Sequence, residues 1–203
     1  SLLPCEITQD RNPIEFRPEQ RAAIDQAKKK FAKGNQFLWN AKMRFGKTLS
    51  ALQLVREMDF RRTLILTHRP VVDKGWFEDF QKIFYDTDRF QYGSKNNGDT
   101  FATLERSGKH YVYFASMQDL RGSELVGGNF DKNNELFSTH WSLIIIDEAH
   151  EGTKTSLGEA VLNSLCHSEP PTFAQRPVPG DSFAETKVLR LSGTPFNLLD
   201  DFK

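Results

Sequence analysis

Five short apolar runs punctuate the chain: QFLWN (36–40), RTLILT (62–67), YVYFA (111–115), SLIIID (142–147) and KVLRLS (187–192). Their apolar residues stand at nearly consecutive positions rather than alternating with polar ones. That is the pattern of strands covered on both faces, so the runs predict a mostly parallel sheet buried between layers. Between them, PEQRAAIDQAKKKFAK (18–33), KTLSALQLVREM (47–58) and PVVDKGWFEDFQKIF (70–84) carry apolar residues at helical spacing. Pro18 and Pro70 fall where a first helical turn tolerates proline. Strands alternating with helices predict right-handed crossovers and a three-layer α/β domain. Residues 86–109 and 121–140 are polar and rich in Gly and Asn, which predicts loops with short helices. Residues 168–186 hold four of the nine prolines, a loop of unusual length that is either functional or a surface excursion.

Composition narrows the class. A chain of 203 residues is enough for one well-packed domain, and 38% hydrophobic with 27% charged residues fits a folded, water-exposed protein. No apolar run approaches the roughly 20 residues that cross a bilayer, so no membrane partner is expected. The opening SLLPCEITQD lacks the basic flank and apolar core of a signal peptide, and it has no initiator Met, so a longer parent chain is expected. Lys plus Arg (27) balance Asp plus Glu (27), which excludes a global basic field and leaves polyanion binding to a local patch. Cys5 and Cys166 have no metal-ligand spacing; two free thiols in a reducing cytoplasm are expected, with a disulfide as the alternative.

Chemistry enters at NAKMRFGKTLSALQLV (40–55). Gly46-Lys47-Thr48 stands directly after one predicted strand and opens a predicted helix. Backbone N–H groups in such a turn, with the positive end of the helix, favour a phosphate. Lys47 then reaches the β and γ phosphates of ATP, and the Thr48 hydroxyl serves Mg²⁺. The strict phosphate-loop pattern asks for Gly at 41, where the chain has Ala, and Arg44 stands where glycine is common. Taken alone, the stretch also reads as an ordinary helix start with a solvated Lys47.

SLIIIDEAHEGT (142–153) changes that balance. Asp147 and Glu148 end an apolar strand, so both lie at the carboxyl edge of the sheet, where ligands of such folds bind. Asp147 suits a magnesium ion, which needs few protein oxygens. Glu148 suits the orientation or deprotonation of an attacking water.

With these residues in place the chain resembles superfamily 2 helicases and translocases. DEAH at 147–150 looks like their second signature, RLSGTPF (190–196) like their third, and FRPEQRAAI (16–24) like the upstream glutamine motif. LILTHRP (64–70) and FASMQDL (114–120) fall where the family's nucleic-acid contacts lie. The nearer likeness is to the helicase-like motor of type I and type III restriction enzymes. The resemblance implies the first RecA-like, phosphate-loop motor domain, occupying residues 1–203, of a longer ATP-dependent DNA helicase or translocase of a restriction or defence system. RNA is the alternative polymer. It further implies that Gln20, with Arg17, contacts adenine, and that His150 couples the nucleotide to Ser192 and Thr194. By motif position alone, His68, Arg69 and Ser116 are nucleic-acid contacts.

In that family ATP lies between two RecA-like domains, and the second supplies an arginine finger worth orders of magnitude in rate. The chain stops at NLLDDFK, so it is expected to bind nucleotide weakly and hydrolyse it slowly by itself. Arg44 is expected to avoid positive φ and to point to solvent or phosphate. Two rivals stand beside this reading. One is a nucleotide-binding scaffold without turnover, against which the presence of Glu148 counts; the other is a phosphate-loop kinase, which leaves SGTP unexplained.

Overall fold

In a computed structural model of the chain, which describes residues 14–40, 45–123, 128, 133–147, 156–166 and 186–192, six parallel strands form one sheet. They are β1 (Gln36–Asn40), β2 (Arg62–Thr67), β3 (Phe90–Gly93), β4 (His110–Ser116), β5 (Leu143–Asp147) and β6 (Lys187–Ser192), in the spatial order β1-β6-β5-β2-β4-β3. The continuous apolar runs of the central strands have the expected cause, whereas β1, at the end of the described sheet, buries only Trp39 and is not covered on both faces. In β5, Leu143 and Ile145 face one layer while Ile144 and Ile146 face the other, and all four are buried. In β2, Ile65 joins the first layer, and Leu64 and Leu66 join the second. Each such side chain contributes about 1.5–3 kcal/mol by leaving water, which is why the central strands admit almost no polar residue.

On the first face lie α1 (Pro18–Phe31), α2 (Lys47–Met58) and α3 (Asp73–Ile83). Their buried stripes are Ile24, Ala27 and Phe31; Ala51, Leu52, Leu54 and Val55; and Trp76, Phe80 and Ile83. The second face carries α4 (Phe101–Ser107), α5 (Met117–Arg121), α6 (Asn134–Ser138) and α7 (Ser156–Leu165), with Trp141 wholly buried beneath them. The architecture is the expected three-layer α/β fold.

Two expectations need correction. Residues 86–109 contain β3 as well as the short helix α4, not loops and a helix alone. Four residues including a glycine carry too little pattern to read as a strand; β3 exists because β4 pairs with it, Phe90 to His110 and Tyr92 to Val112. The segment predicted as one helix over 70–84 begins instead with a 3-10 turn, Pro70–Val72, before α3. Pro70 opens that turn, where its missing N–H costs nothing.

β3 is also pinned by a buried carboxylate. Asp73, at the start of α3, accepts hydrogen bonds from Tyr92 Oη at 2.6 Å, Ser94 Oγ at 2.5 Å and Asn97 Nδ2 at 3.0 Å. A charge buried this deeply is tolerated because its oxygens are supplied with donors. Burial, with the neighbouring Asp73, pushes the Tyr92 phenol far above its ordinary range, so it stays a donor.

Candidate functional site

Polar residues end five of the strands at the carboxyl edge: Asn40 on β1, Ser192 on β6, Asp147 on β5, Thr67 on β2 and Ser116 on β4. Parallel register sets Asn40 beside Ser192, and Thr67 between Asp147 and Ser116. One strand, β6, separates β1 from β5 at this edge.

The segment after β1 enters α2 through Gly46, whose φ of 76° and ψ of 41° lie in the left-handed region. Glycine is needed there for two reasons. The conformation is strained for any residue with a Cβ, and a Cβ at this point would collide with Gln20 Nε2. Beyond it, the first turn Lys47-Thr48-Leu49-Ser50 carries no acidic residue, so nothing in it cancels the positive end of the helix. The Ser50 hydroxyl turns back instead, donating to the Gly46 carbonyl at 2.9 Å.

Lys47 points across to β5. Its Nζ lies 3.1 Å from Asp147 Oδ1, an ion pair whose alignment is not that of a hydrogen bond. Asp147 is 7% exposed. Its other oxygen, Oδ2, accepts the indole N–H of Trp76 at 3.2 Å. Among the described residues, Oδ1 is therefore a buried acceptor faced by a cation but by no aligned donor. A divalent cation fits that position: the oxygen is hard and anionic, and the ammonium of Lys47 stands in for positive charge.

Gln20 and Arg17 come to the same place from α1. Gln20 is buried, its Nε2 donating to the Phe45 carbonyl at 2.7 Å while its Oε1 accepts from the Arg17 backbone N–H at 2.9 Å. Arg17 donates a second hydrogen bond to the Phe45 carbonyl, at 2.6 Å, through Nη2. Both residues named for adenine thus grip the backbone just before Gly46. This bracing was hidden in the sequence, where Gln20 reads as one polar position of an amphipathic helix.

The three nucleic-acid candidates border the edge further along. His68 and Arg69 are exposed directly after β2, followed by exposed Pro70 and Val71. Ser116 caps α5 by accepting from the Asp119 N–H at 3.1 Å. Ser192 is buried at the end of β6. Thr48 stands in the first turn of α2, half-buried. Arg44, Glu148, His150 and Thr194 lie outside the described residues, as do Ala41, Cys5 and the proline-rich stretch up to residue 185. Trp76 is the residue of the site that sequence reasoning missed. The one signal was its place on the buried stripe of α3, because a buried indole N–H usually finds a partner. Among the described residues, no helix is long and apolar enough to cross a membrane.

The fold matches known motors. The SWI2/SNF2 ATPase core of Sulfolobus solfataricus in complex with dsDNA superposes with a TM-score of 0.64 at 16% identity, over 94% of this chain and 35% of that one. The UvsW helicase of bacteriophage T4 gives 0.58 at 14% identity, over 89% and 53% respectively. A nuclease-deletion mutant of the type ISP restriction-modification enzyme LlaGI, in complex with a DNA substrate mimic, gives 0.56 at 14%, over 90% and 18%. A putative type II restriction enzyme and methyltransferase of Mycoplasma pneumoniae is 29% identical over 213 residues, and the chain spans 29% of its length. The sequence model of the type III restriction enzyme res subunit covers residues 13–197, nearly the whole chain. The chain belongs to that family, as a superfamily 2 helicase-like motor domain of RecA type.

Proposed function

We propose that the chain is the ATP-binding first motor domain of a cytoplasmic ATP-dependent DNA helicase or translocase acting in restriction-modification or defence. The observation that carries this is the Lys47–Asp147 pair at 3.1 Å, held across β6 at the mouth of a glycine turn and an acid-free helix start. Lys47 exchanges Asp147 for the β and γ phosphates of the nucleotide. The backbone N–H groups at the start of α2 would orient those phosphates, and the Thr48 hydroxyl with Asp147 Oδ1 would hold a magnesium ion, whose chemistry there would be to offset phosphate charge. Glu148, next to Asp147 in the chain, takes the role of orienting water and accepting its proton. Gln20 and Arg17 brace the loop, and Gln20 keeps one amide hydrogen for a base edge. His150 couples the state of the nucleotide to Ser192 and Thr194.

Exposed His68 and Arg69, with Ser116, hold a nucleic-acid backbone without reading sequence. Two of the superposed structures contain DNA or a substrate mimic of it, which supports DNA over RNA. A second RecA-like domain, in a parent chain of the length of the relatives, closes over the nucleotide and completes the site.

The test is ATPase turnover of such a two-domain parent with single-stranded DNA, duplex DNA and RNA, beside Lys47→Ala and Glu148→Gln. DNA-stimulated turnover is expected, lost in both variants, with nucleotide binding lost only in Lys47→Ala. Unchanged turnover in Lys47→Ala overturns the assignment. Binding without turnover in the wild type leaves a regulatory nucleotide-binding module instead.

A further inference from the structure

The two oxygens of Asp147 have different surroundings. Oδ2 is tied to Trp76 Nε1 at 3.2 Å, while Oδ1 faces Lys47 Nζ at 3.1 Å without an aligned hydrogen bond. Trp76 is 1% exposed and lies on the stripe of α3 formed by Asp73, Trp76, Phe80 and Ile83, packed into the first-face core. Its ring cannot turn without moving that core, so the donor is fixed in space. An indole offers one N–H, no acceptor and no formal charge. It can therefore hold a carboxylate in one orientation without neutralising it and without competing as a ligand. A lysine or arginine in the same place would do the opposite.

We propose that Trp76 is a positioning residue, which locks the Asp147 carboxylate so that Oδ1 is presented to the divalent cation accompanying a nucleoside triphosphate. The assignment rests on the reading under Proposed function. It goes beyond that reading because it places a core residue from another helix, 71 positions away in the chain, in control of cation affinity. Partners that orient a metal-binding side chain typically matter about 10–100-fold to metal affinity.

Trp76→Phe keeps most of the apolar bulk and deletes the N–H. Binding of a fluorescent N-methylanthraniloyl ATP to the chain is measured first in EDTA and then across a magnesium titration, with the melting temperature recorded in parallel. Affinity in EDTA is expected within about twofold of wild type, while the Mg²⁺ concentration for half-maximal effect rises about tenfold. A merely structural role lowers the melting temperature and leaves the magnesium midpoint in place, which overturns the proposal. A wild-type chain with no magnesium-dependent nucleotide binding refutes the nucleotide site itself, and this inference with it.

Should the phenylalanine variant not fold, the wild-type indole ¹⁵N–¹H spectrum decides. The Trp76 cross-peak should move when Mg²⁺ is added to the nucleotide-bound chain, while that of Trp141, bonded to the Leu136 carbonyl at 2.9 Å, stays in place. A stationary Trp76 peak overturns the proposal.

Discussion

Gly46→Ala probes how the entry to α2 is built, because two separable costs converge on one methyl group. The first is backbone strain: at a φ of 76°, an L-residue pays about 1–2 kcal/mol that glycine does not. The second is steric. The new Cβ meets Gln20 Nε2 well inside contact distance, so the carboxamide must swing away. Its hydrogen bond to the Phe45 carbonyl at 2.7 Å is then lost, at about 1 kcal/mol, while Arg17 still serves that carbonyl. Together the substitution should destabilise the chain by about 2–3 kcal/mol, or about 5–10 °C in melting temperature for a chain of this size. Urea denaturation of four proteins separates the two costs: wild type, Gly46→Ala, Gln20→Ala and the double variant. Removing Gln20 removes the obstacle, so the double variant should be more stable than the sum of the single losses predicts, by about 1 kcal/mol. A Gly46→Ala loss below about 0.5 kcal/mol would show that the turn relaxes freely. Strict additivity would show that Gln20 does not fill the space beside Gly46. Either result refutes the reasoning.

Acid should loosen the seam between α1 and α2. Burial alone would raise the Glu57 carboxyl, but hydrogen bonds from Arg21 at 2.6 and 2.8 Å and from Gln53 at 3.0 Å outweigh it and hold it below its ordinary value of 4.5. Its contribution to stability is therefore complete above that value and is lost as pH falls through the lower folded-state value. In Glu57→Gln the acid limb of a stability–pH curve should be shallower than in wild type, and identical limbs would refute the assignment. At the alkaline end, burial pushes the Cys166 thiol up to about 11. The unfolded chain then releases that proton first, so stability should fall as pH rises from about 9 toward 11. In a Cys5→Ser background the thiol should react slowly with an aromatic disulfide at pH about 8 until urea unfolds the chain, since the thiolate is the reactive form. Equal rates with and without urea would contradict the burial.

The elements that the sequence announces are those whose surroundings are uniform. The strands β2 and β5 lie on or within the quoted runs, and α2 on the helical pattern, because both faces of the sheet there and one stripe of the helix are simply apolar; β1 lies on its run although only Trp39 of it is buried. β3 was unreadable because its four residues owe their conformation to pairing with β4 and to a loop that Asp73 organises from α3. Gln20 shows the same limit on the scale of one side chain. Helical periodicity assigns it to water, yet it is 6% exposed, since the amino end of α1 abuts the chain just before Gly46.

The site itself divides along the same line. A glycine-lysine-threonine turn and an aspartate ending an apolar run are local patterns, and each can be read from a few residues. Their meeting depends on the sheet order β1-β6-β5, in which β6 is laid between β1 and β5. Nothing near Lys47 in the sequence specifies that insertion. It follows from Leu189 and Leu191 packing with Trp39, Leu143 and Ile145 beneath the helices of the first face. Trp76 belongs to that same core and also reaches the carboxylate. The packing that holds the sheet together therefore also fixes the direction in which Asp147 faces, so a substitution chosen to disturb only the core should alter cation affinity whenever it moves α3.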